Sequence, residues 1–288
     1  MIEKDQSLRT KFCVFVKVYN EYEMLEELVK SLLEQTLVPD EVIIIDDGSP
    51  DPNVRVEIER LINKYPSLNL KLLQLSIKTV PNLDTVGRTF NTAWFELAKA
   101  ARYDYVATLD ADTRLEPYYY EKIITTMGNT PSLGCVSGII VVKDQLNEYV
   151  EQINVGAKFG RKDARGSGKV IRSSLLESTP SEYFPEVDWD TWINTRAKIR
   201  KMKARELSEV YMIQERPTTR VAKKDLFRNG RLTYHFGYNP ILLLLKTILA
   251  GFNGIKILKG YWSARKEKWK LKDKEVRAYF GWKFFLHF

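Results

Sequence analysis

Up to Asp110 the chain alternates short apolar segments of strand character with longer segments of helical period, and this alternation narrows its folds more than any other feature. Phe12–Val18 is apolar and β-branched, as a strand covered on both faces must be. In Glu23–Gln35, the residues Leu25, Leu28, Val29, Leu32 and Leu33 fall on one helical face. Pro39-Asp40 breaks the chain before a second strand, Glu41–Ile45. The spacing then predicts a helix over Val54–Tyr65, a strand over Leu70–Leu75, a helix over Thr89–Ala101 and a fourth strand over Tyr105–Leu109. Such an order folds as an α/β domain: a mostly parallel sheet flanked by helices.

Beyond Asp112 the pattern changes. Leu133–Val142 reads as a long strand, Asp190–Lys201 as a helix and Leu207–Ile213 as a strand. Lys143–Lys169 is polar, contains glycines and lacks a clear period, so a mobile loop region over the site is expected there. From Tyr234 onward the composition turns aromatic, aliphatic and basic. The expected organisation is a catalytic domain over residues 1–232, with halves at about 10–115 and 116–220, and an amphipathic helical tail over 233–288.

Charge sharpens that division. The net charge is +8, yet Lys256–Phe288 holds ten Lys/Arg and three Asp/Glu, a net of +7. The body is therefore almost neutral and the tail is the cationic part, unlike a nucleic-acid-binding domain charged on its folded body. Cys13 and Cys135 sit in apolar stretches without metal-ligand spacing and read as buried thiols of a reducing compartment. The two histidines, His235 and His287, leave little room for a histidine-built metal site. The charged stretch Met1–Lys11 has no apolar run, so no secretory signal is expected in it.

Two phosphate motifs fail. No Gly-x-Gly-x-x-Gly follows the first strand. Gly166-Ser-Gly-Lys169 ends like a P-loop, but Asp163 stands where the earlier Gly belongs and Val170 replaces Ser/Thr. Carboxylates just past strand ends are more informative. Asp46-Asp47-Gly48-Ser49 follows the second strand and Asp110-Ala111-Asp112 the fourth, at the sheet edge where open α/β folds bind ligands. If the backbone stays extended through Asp110–Asp112, both side chains face one way. Two converging carboxylates repel unless a cation sits between them, and hard oxygen ligands suit Mg2+ or Mn2+ bridging to a diphosphate. A turn or a helix cap is the plainer reading of either motif alone.

Taken in order, these pieces resemble family 2 glycosyltransferases of the GT-A fold. Val18-Tyr-Asn-Glu21, Asp46-Asp-Gly-Ser49, Gly87-Arg88 with Asn91, Asp110-Ala-Asp112, Glu186-Val-Asp-Trp-Asp-Thr-Trp192 with Arg196, and Gln214-Glu-Arg-Pro-Thr218 carry the likeness. The resemblance implies an inverting transfer from a UDP- or GDP-sugar, UDP favoured, to a lipid-linked or glycan hydroxyl. It implies that Tyr19, Glu21 and Asp47 hold the nucleoside, Arg88 lies by the nucleotide or its diphosphate, Asp110 contacts the ribose and Asp112 binds the metal. The general base would be Asp190, with Asp188 as the alternative; the family pattern sets an Arg six residues after its base, and Arg196 stands six after Asp190. Many members carry a His near the end of the last core strand. Here Gln214-Glu215-Arg216 takes that place, with Arg216 as a candidate diphosphate contact.

The tail has no apolar run near the length of about 20 residues that a membrane span needs. Tyr261, Trp262, Trp269, Tyr279, Phe280, Trp282, Phe284 and Phe285 alternate with Lys/Arg, a mixture suited to an anionic bilayer surface. Gly237-Tyr-Asn-Pro240 and Gly260-Tyr-Trp262 are similar to the tail of membrane-associated members. The expected location is cytoplasmic, peripheral on the inner face of the cell membrane, with no nucleic-acid partner. A core-packing or dimerising helix pair and a single-strand-stacking surface are the competing readings of the tail. For the whole chain, the competing functions are a sugar nucleotidyltransferase and a non-catalytic nucleotide-binding scaffold.

Overall fold

The computed structural model describes residues 10–76, 86–143, 148–152, 162–215 and 225–281. Two compact units divide the chain: residues 1–178 with 186–216, and residues 179–185 with 217–288.

The first unit is built on one mixed sheet. Its strands are β1 Phe12–Val18, β2 Glu41–Asp46, β3 Leu70–Gln74, β4 Tyr105–Asp110, β5 Thr113–Leu115, β6 Leu133–Lys143, β7 Tyr149–Glu151, β8 Lys169–Arg172 and β9 Lys203–Gln214. The order is β3-β2-β1-β4-β8-β6-β9-β5, with β7 against β6. Strands β1 to β4 pair in parallel, as the alternation requires. Antiparallel pairing enters with β8 beside β4 and β6, while β6 and β9 run parallel. Every residue of β2 is buried, as expected of an inner strand covered on both faces.

The helices of this unit are α1 Leu25–Leu33, α2 Pro52–Lys64, α3 Val86–Ala93, α4 Lys99–Ala101, α5 Tyr119–Asn129, α6 Ser173–Glu177 and α7 Trp189–Ile199. A π-helical turn at Trp94–Ala98 joins α3 to α4, so the predicted third helix begins earlier, at Val86. Helix α5 and strand β8 were not anticipated. Buried Tyr119, Tyr120, Ile123, Ile124 and Met127 give α5 its apolar face, which lies within the main core. The expected loop over Lys143–Lys169 is partly structured: Tyr149–Glu151 pairs with β6, and Lys169 begins β8. Residues 144–147 and 153–161 of that stretch lie outside the described residues. Cys13 and Cys135 are buried and free.

The second unit holds α8 Leu226–His235, α9 Pro240–Leu249, α10 Gly254–Lys266 and α11 Lys274–Gly281. Helices α8 and α10 meet backbone to backbone. A Cβ on Gly230 would overlap the Ile257 carbonyl, and one on Gly260 the Phe227 carbonyl, so only glycine permits the crossing. Much of the aromatic content expected to face outward packs inside this unit instead. Tyr261 meets Tyr234 edge-on, Trp269 lies 4.2 Å from His235, and Phe280 stacks on Tyr238 at 4.6 Å. These rings fill a core that short helices would otherwise lack. Trp282, Phe284 and Phe285 lie outside the described residues.

Helix α9 is the exception, since none of its residues is buried. Ile241, Leu244, Leu245, Ile248 and Leu249 are exposed on it, followed by Phe252, Ile255 and Trp262. Lys246, which interrupts the apolar run in sequence, turns inward to Thr233 Oγ1 at 3.2 Å and the Tyr238 ring at 4.0 Å. Burial lowers its pKa to about 8. Among the described residues, no helix is long and apolar enough to cross a membrane.

Candidate active site

The carboxyl ends of β1, β2 and β4 bring the first group of predicted residues together. Val18 is the register partner of Asp46, and Lys17 lies between Ile45 and Asp110. The turns after β1 and β2 are tied to each other. The Asp47 amide donates to the Val18 carbonyl at 2.9 Å, and the Asn20 amide donates to Ser49 Oγ at 2.9 Å. Of the two adjacent aspartates, Asp46 accepts the Ser49 amide at 2.9 Å and thereby closes its own turn. The Asp47 carboxylate meets the Lys17 ammonium at 3.3 Å. Tyr19 and Glu21 are half-buried in the turn beside them.

Asp110 and Asp112 do not share an extended segment. Strand β4 ends at Asp110, Ala111 and Asp112 form a turn, and β5 starts at Thr113. Strand alternation therefore does not align these side chains; the turn holds them near each other. Their charges do interact. Burial first, and then the Asp112 carboxylate, lift Asp110 to about 6, while Lys17 pulls it down. A cation would relieve this repulsion. Among the described residues, no cluster of three His, Cys, Asp or Glu side chains could hold one alone. Asp110 and Asp112 are the hard oxygen donors at this edge that could contribute to the shell of a divalent ion.

The end of β9 runs beside this turn. Thr113 pairs with Gln214, the Glu215 amide donates to the Asp112 carbonyl at 3.2 Å, and the Glu215 carboxylate pairs with Arg114. Arg216 lies outside the described residues.

Helix α3 links the donor edge to the acidic segment. Phe90 meets Phe15 of β1 edge-on and stacks on Trp189 at 4.8 Å. The Gly87 amide donates to the Glu186 carbonyl at 2.9 Å. Arg88, next along, is exposed, and Asn91 is half-buried one turn later.

Asp188 and Asp190 are likewise not on an extended segment. Asp188 is the N-cap of α7 with φ 48°, a left-handed conformation that aspartate tolerates better than most residues, and its side chain makes no capping bond. Asp190 lies inside the first turn, so it is not the cap. Its Oδ2 stands 3.7 Å from the position of a Cβ on Gly166. The Gly166 carbonyl accepts Thr108 Oγ1 at 2.9 Å, and neighbouring Ser167 Oγ accepts the Asp110 amide at 3.1 Å. The acidic segment thus reaches the end of β4.

Residues 13–180 match the family model of Glycosyl transferase family 2. The chain belongs to that family. Over 123 residues it is 32% identical to the poly-beta-1,6-N-acetyl-D-glucosamine synthase of Staphylococcus epidermidis, a match covering 42% of this chain and 26% of that protein. It therefore spans only about a quarter of that relative's length. Two solved structures share the α/β GT-A-type fold. The mannosyltransferase PcManGT of Pyrobaculum calidifontis, in complex with GDP-Man and Mn2+, has a TM-score of 0.58 at 18% identity, over 94% of this chain and 74% of that one. S. aureus TarS 1-349, in complex with UDP-GlcNAc, has a TM-score of 0.55 at 19% identity, over 92% and 76%.

Three residues of this candidate site were not singled out from sequence. Lys17 carried a legible signal, being the one charged residue in the first strand. Ser167 and Lys169 carried a misleading one, because Gly166-Ser-Gly-Lys169 resembles a phosphate loop while β8 and its approach serve the sheet.

Proposed function

We propose that this chain transfers a sugar from a nucleoside diphosphate donor to an acceptor hydroxyl, with inversion at the anomeric carbon. The observation that carries this reading is that the Gly166-Ser167 segment is bordered by acidic groups from two elements, the Asp110 end of β4 and the Asp190 carboxylate of α7. Asp110 and Asp112 stand on one side, and Asp190, over Gly166, approaches from another element. A donor diphosphate and an acceptor hydroxyl need such an arrangement: one acidic group to share a cation with the leaving nucleotide, another to take the acceptor proton.

On this reading, Tyr19, Glu21 and Asp47 hold the nucleoside, and Lys17 keeps the Asp47 carboxylate oriented. Arg88 supplies positive charge by the nucleotide, Asp110 receives the ribose, and Asp112 would hold Mg2+ or Mn2+. The metal, when bound, neutralises charge on the departing nucleotide. Asp190 accepts the proton of the attacking hydroxyl, with Asp188 as the alternative base. Arg216 adds a diphosphate contact. UDP-sugars are the favoured donors and GDP-sugars the alternative, in keeping with the UDP-GlcNAc and GDP-Man complexes of the two structural neighbours.

The acceptor is a lipid-linked or other membrane-proximal glycan, and the helical unit places the chain on the inner face of the cell membrane. Supporting this are the exposed apolar residues of α9 and the exposed Lys256, Lys259, Arg265 and Lys266 of α10. The deciding experiment is a panel of UDP- and GDP-sugars with Mn2+, read as nucleoside diphosphate release by the wild-type chain and by Asp190→Asn. Turnover of one donor, with a loss of about 10²-fold in the variant at unchanged donor affinity, is the expected result. Turnover of none, or full activity of the variant, would overturn the reading.

A further inference from the structure

Gly166-Ser-Gly-Lys169 touches both sides of the site. Its first residues serve the donor edge: Thr108 Oγ1 donates to the Gly166 carbonyl, and Ser167 Oγ accepts the Asp110 amide and lies 3.1 Å from Thr113 Oγ1. Gly168 takes φ 66°, where its missing Cβ leaves room for the Tyr119 hydroxyl and Met212 sulfur. The Tyr119 hydroxyl donates to the Gly168 carbonyl at 2.8 Å and accepts the Gly138 amide at 2.8 Å, so the segment is pinned from below.

Lys169 turns the other way. It is wholly buried, and its ammonium donates to the Asp190 carbonyl at 3.1 Å and to Asn194 Oδ1 at 2.9 Å. It also stands 5.2 Å from the centre of the Trp189 ring. Asn194 is itself held, since its Nδ2 donates to the Ala164 carbonyl at 2.8 Å. Both hydrogen-bond acceptors of the ammonium are neutral, and burial pushes its pKa down. A buried cation held this way is costly, and a methionine would fill the same space without the desolvation. The ammonium does what a methionine cannot: it fastens a carbonyl in the first turn of α7 to the first residue of β8.

We propose that Lys169 is a positioning residue for the transfer step. By holding the Asp190 carbonyl and Asn194, it sets the first turn of α7 so that the Asp190 carboxylate stays over Gly166, beside the Asp110 end of β4. The proposal rests on the reading of Asp190 as the base. Lys169 acts through Asp190 and has no part in donor binding, so its loss belongs in kcat.

The test compares Lys169→Met, Asn194→Ala and Asp190→Asn in the full chain with Mn2+. Turnover uses the UDP- or GDP-sugar that the wild-type chain consumes fastest, donor-site occupancy is read by UDP titration, and hydrogen exchange is followed at the Trp192 amide, which donates to Asp188. Lys169→Met should lower kcat by about tenfold or more, the scale of a misplaced catalytic group, with donor KM and UDP affinity within about twofold. Trp192 exchange should quicken while β1 amides keep their protection. Asn194→Ala should shift kcat and exchange the same way by a smaller factor, and it decides the matter if Lys169→Met does not fold. If Asp190→Asn is inactive while Lys169→Met, or Asn194→Ala in its place, keeps wild-type kcat, the positioning role is overturned and the base reading stands. An equal loss of UDP affinity and kcat also overturns it, by making Lys169 a support of the whole unit. If Asp190→Asn turns over normally, the base reading falls and takes the proposal with it.

Discussion

The Asp190 carboxylate lies over Gly166, with its Oδ2 3.7 Å from where a Cβ on that glycine would stand. That distance is ordinary van der Waals contact, so a methyl group fits, while a branched side chain would extend further toward the carboxylate. Gly166→Ala should retain activity within a few-fold of wild type. Gly166→Val should displace the carboxylate and lower kcat by about 10²-fold, the cost of a misplacement near 1 Å, with UDP affinity changed much less. Steady-state kinetics beside UDP titration checks the pair; equal activity of the two variants would mean that the Asp190 position does not matter.

Asp110, lifted from 3.8 to about 6, has a consequence for stability. Because the folded pKa is the higher one, the folded chain binds more protons than the unfolded chain between about pH 4 and 6. Stability from this group should therefore fall as pH rises through that window and level off above it. Asp110→Asn should flatten that part of the melting temperature profile. Adding UDP with Mn2+ should draw the carboxyl back toward ionisation, releasing protons on binding near pH 6, measurable by calorimetry in buffers of different ionisation enthalpy.

Asp112 should carry the metal dependence. With no three-ligand cluster among the described residues, metal affinity without nucleotide should be weak, and UDP and Mn2+ should each strengthen the binding of the other. Asp112→Asn should abolish that coupling and turnover while leaving the melting temperature near wild type. Chelation by EDTA should stop the wild-type enzyme reversibly. Coupled binding of UDP and Mn2+ that survives in the variant would move the metal elsewhere.

The exposed face of α9 should bind anionic bilayers. Replacing Leu244 and Ile248 by Asp changes residues already in solvent, so folding should be preserved, while sedimentation with phosphatidylserine vesicles should drop sharply. Exchanging Lys256 and Lys259 for Gln should weaken binding by roughly 1 kcal/mol per charge at low salt and by less at high salt. Sedimentation indifferent to both changes would leave the apolar face for another role, such as pairing of two copies.

The sequence alone was enough for the parallel half of the sheet, its helices and the edge where polar residues collect. Those features follow from local periodicity: Phe12–Val16 and Val42–Ile45 are unbroken apolar runs because they belong to inner strands, and α1 shows a one-sided stripe because only one side meets the sheet. The aspartates stood out because two acidic motifs past strand ends fall in βα order, although a turn explains either motif alone, as Asp46 shows by closing its own turn. What lay beyond local pattern was decided by contacts distant in sequence. Lys169 had no role in the sequence once the phosphate-loop spacing failed; β8, by pairing with β4, aims its ammonium at the Asp190 carbonyl. The resemblance singled out Asp47 over its identical neighbour Asp46, and the contacts give the physical difference: Asp46 accepts the Ser49 amide and Asp47 meets Lys17. Tyr261, Trp269 and Phe280 matched a membrane surface by composition, yet they pack on Tyr234, His235 and Tyr238 within the helical unit while plain aliphatic residues of α9 stay in solvent. Periodicity records which side of an element is apolar; what that side packs against is settled only when the elements meet.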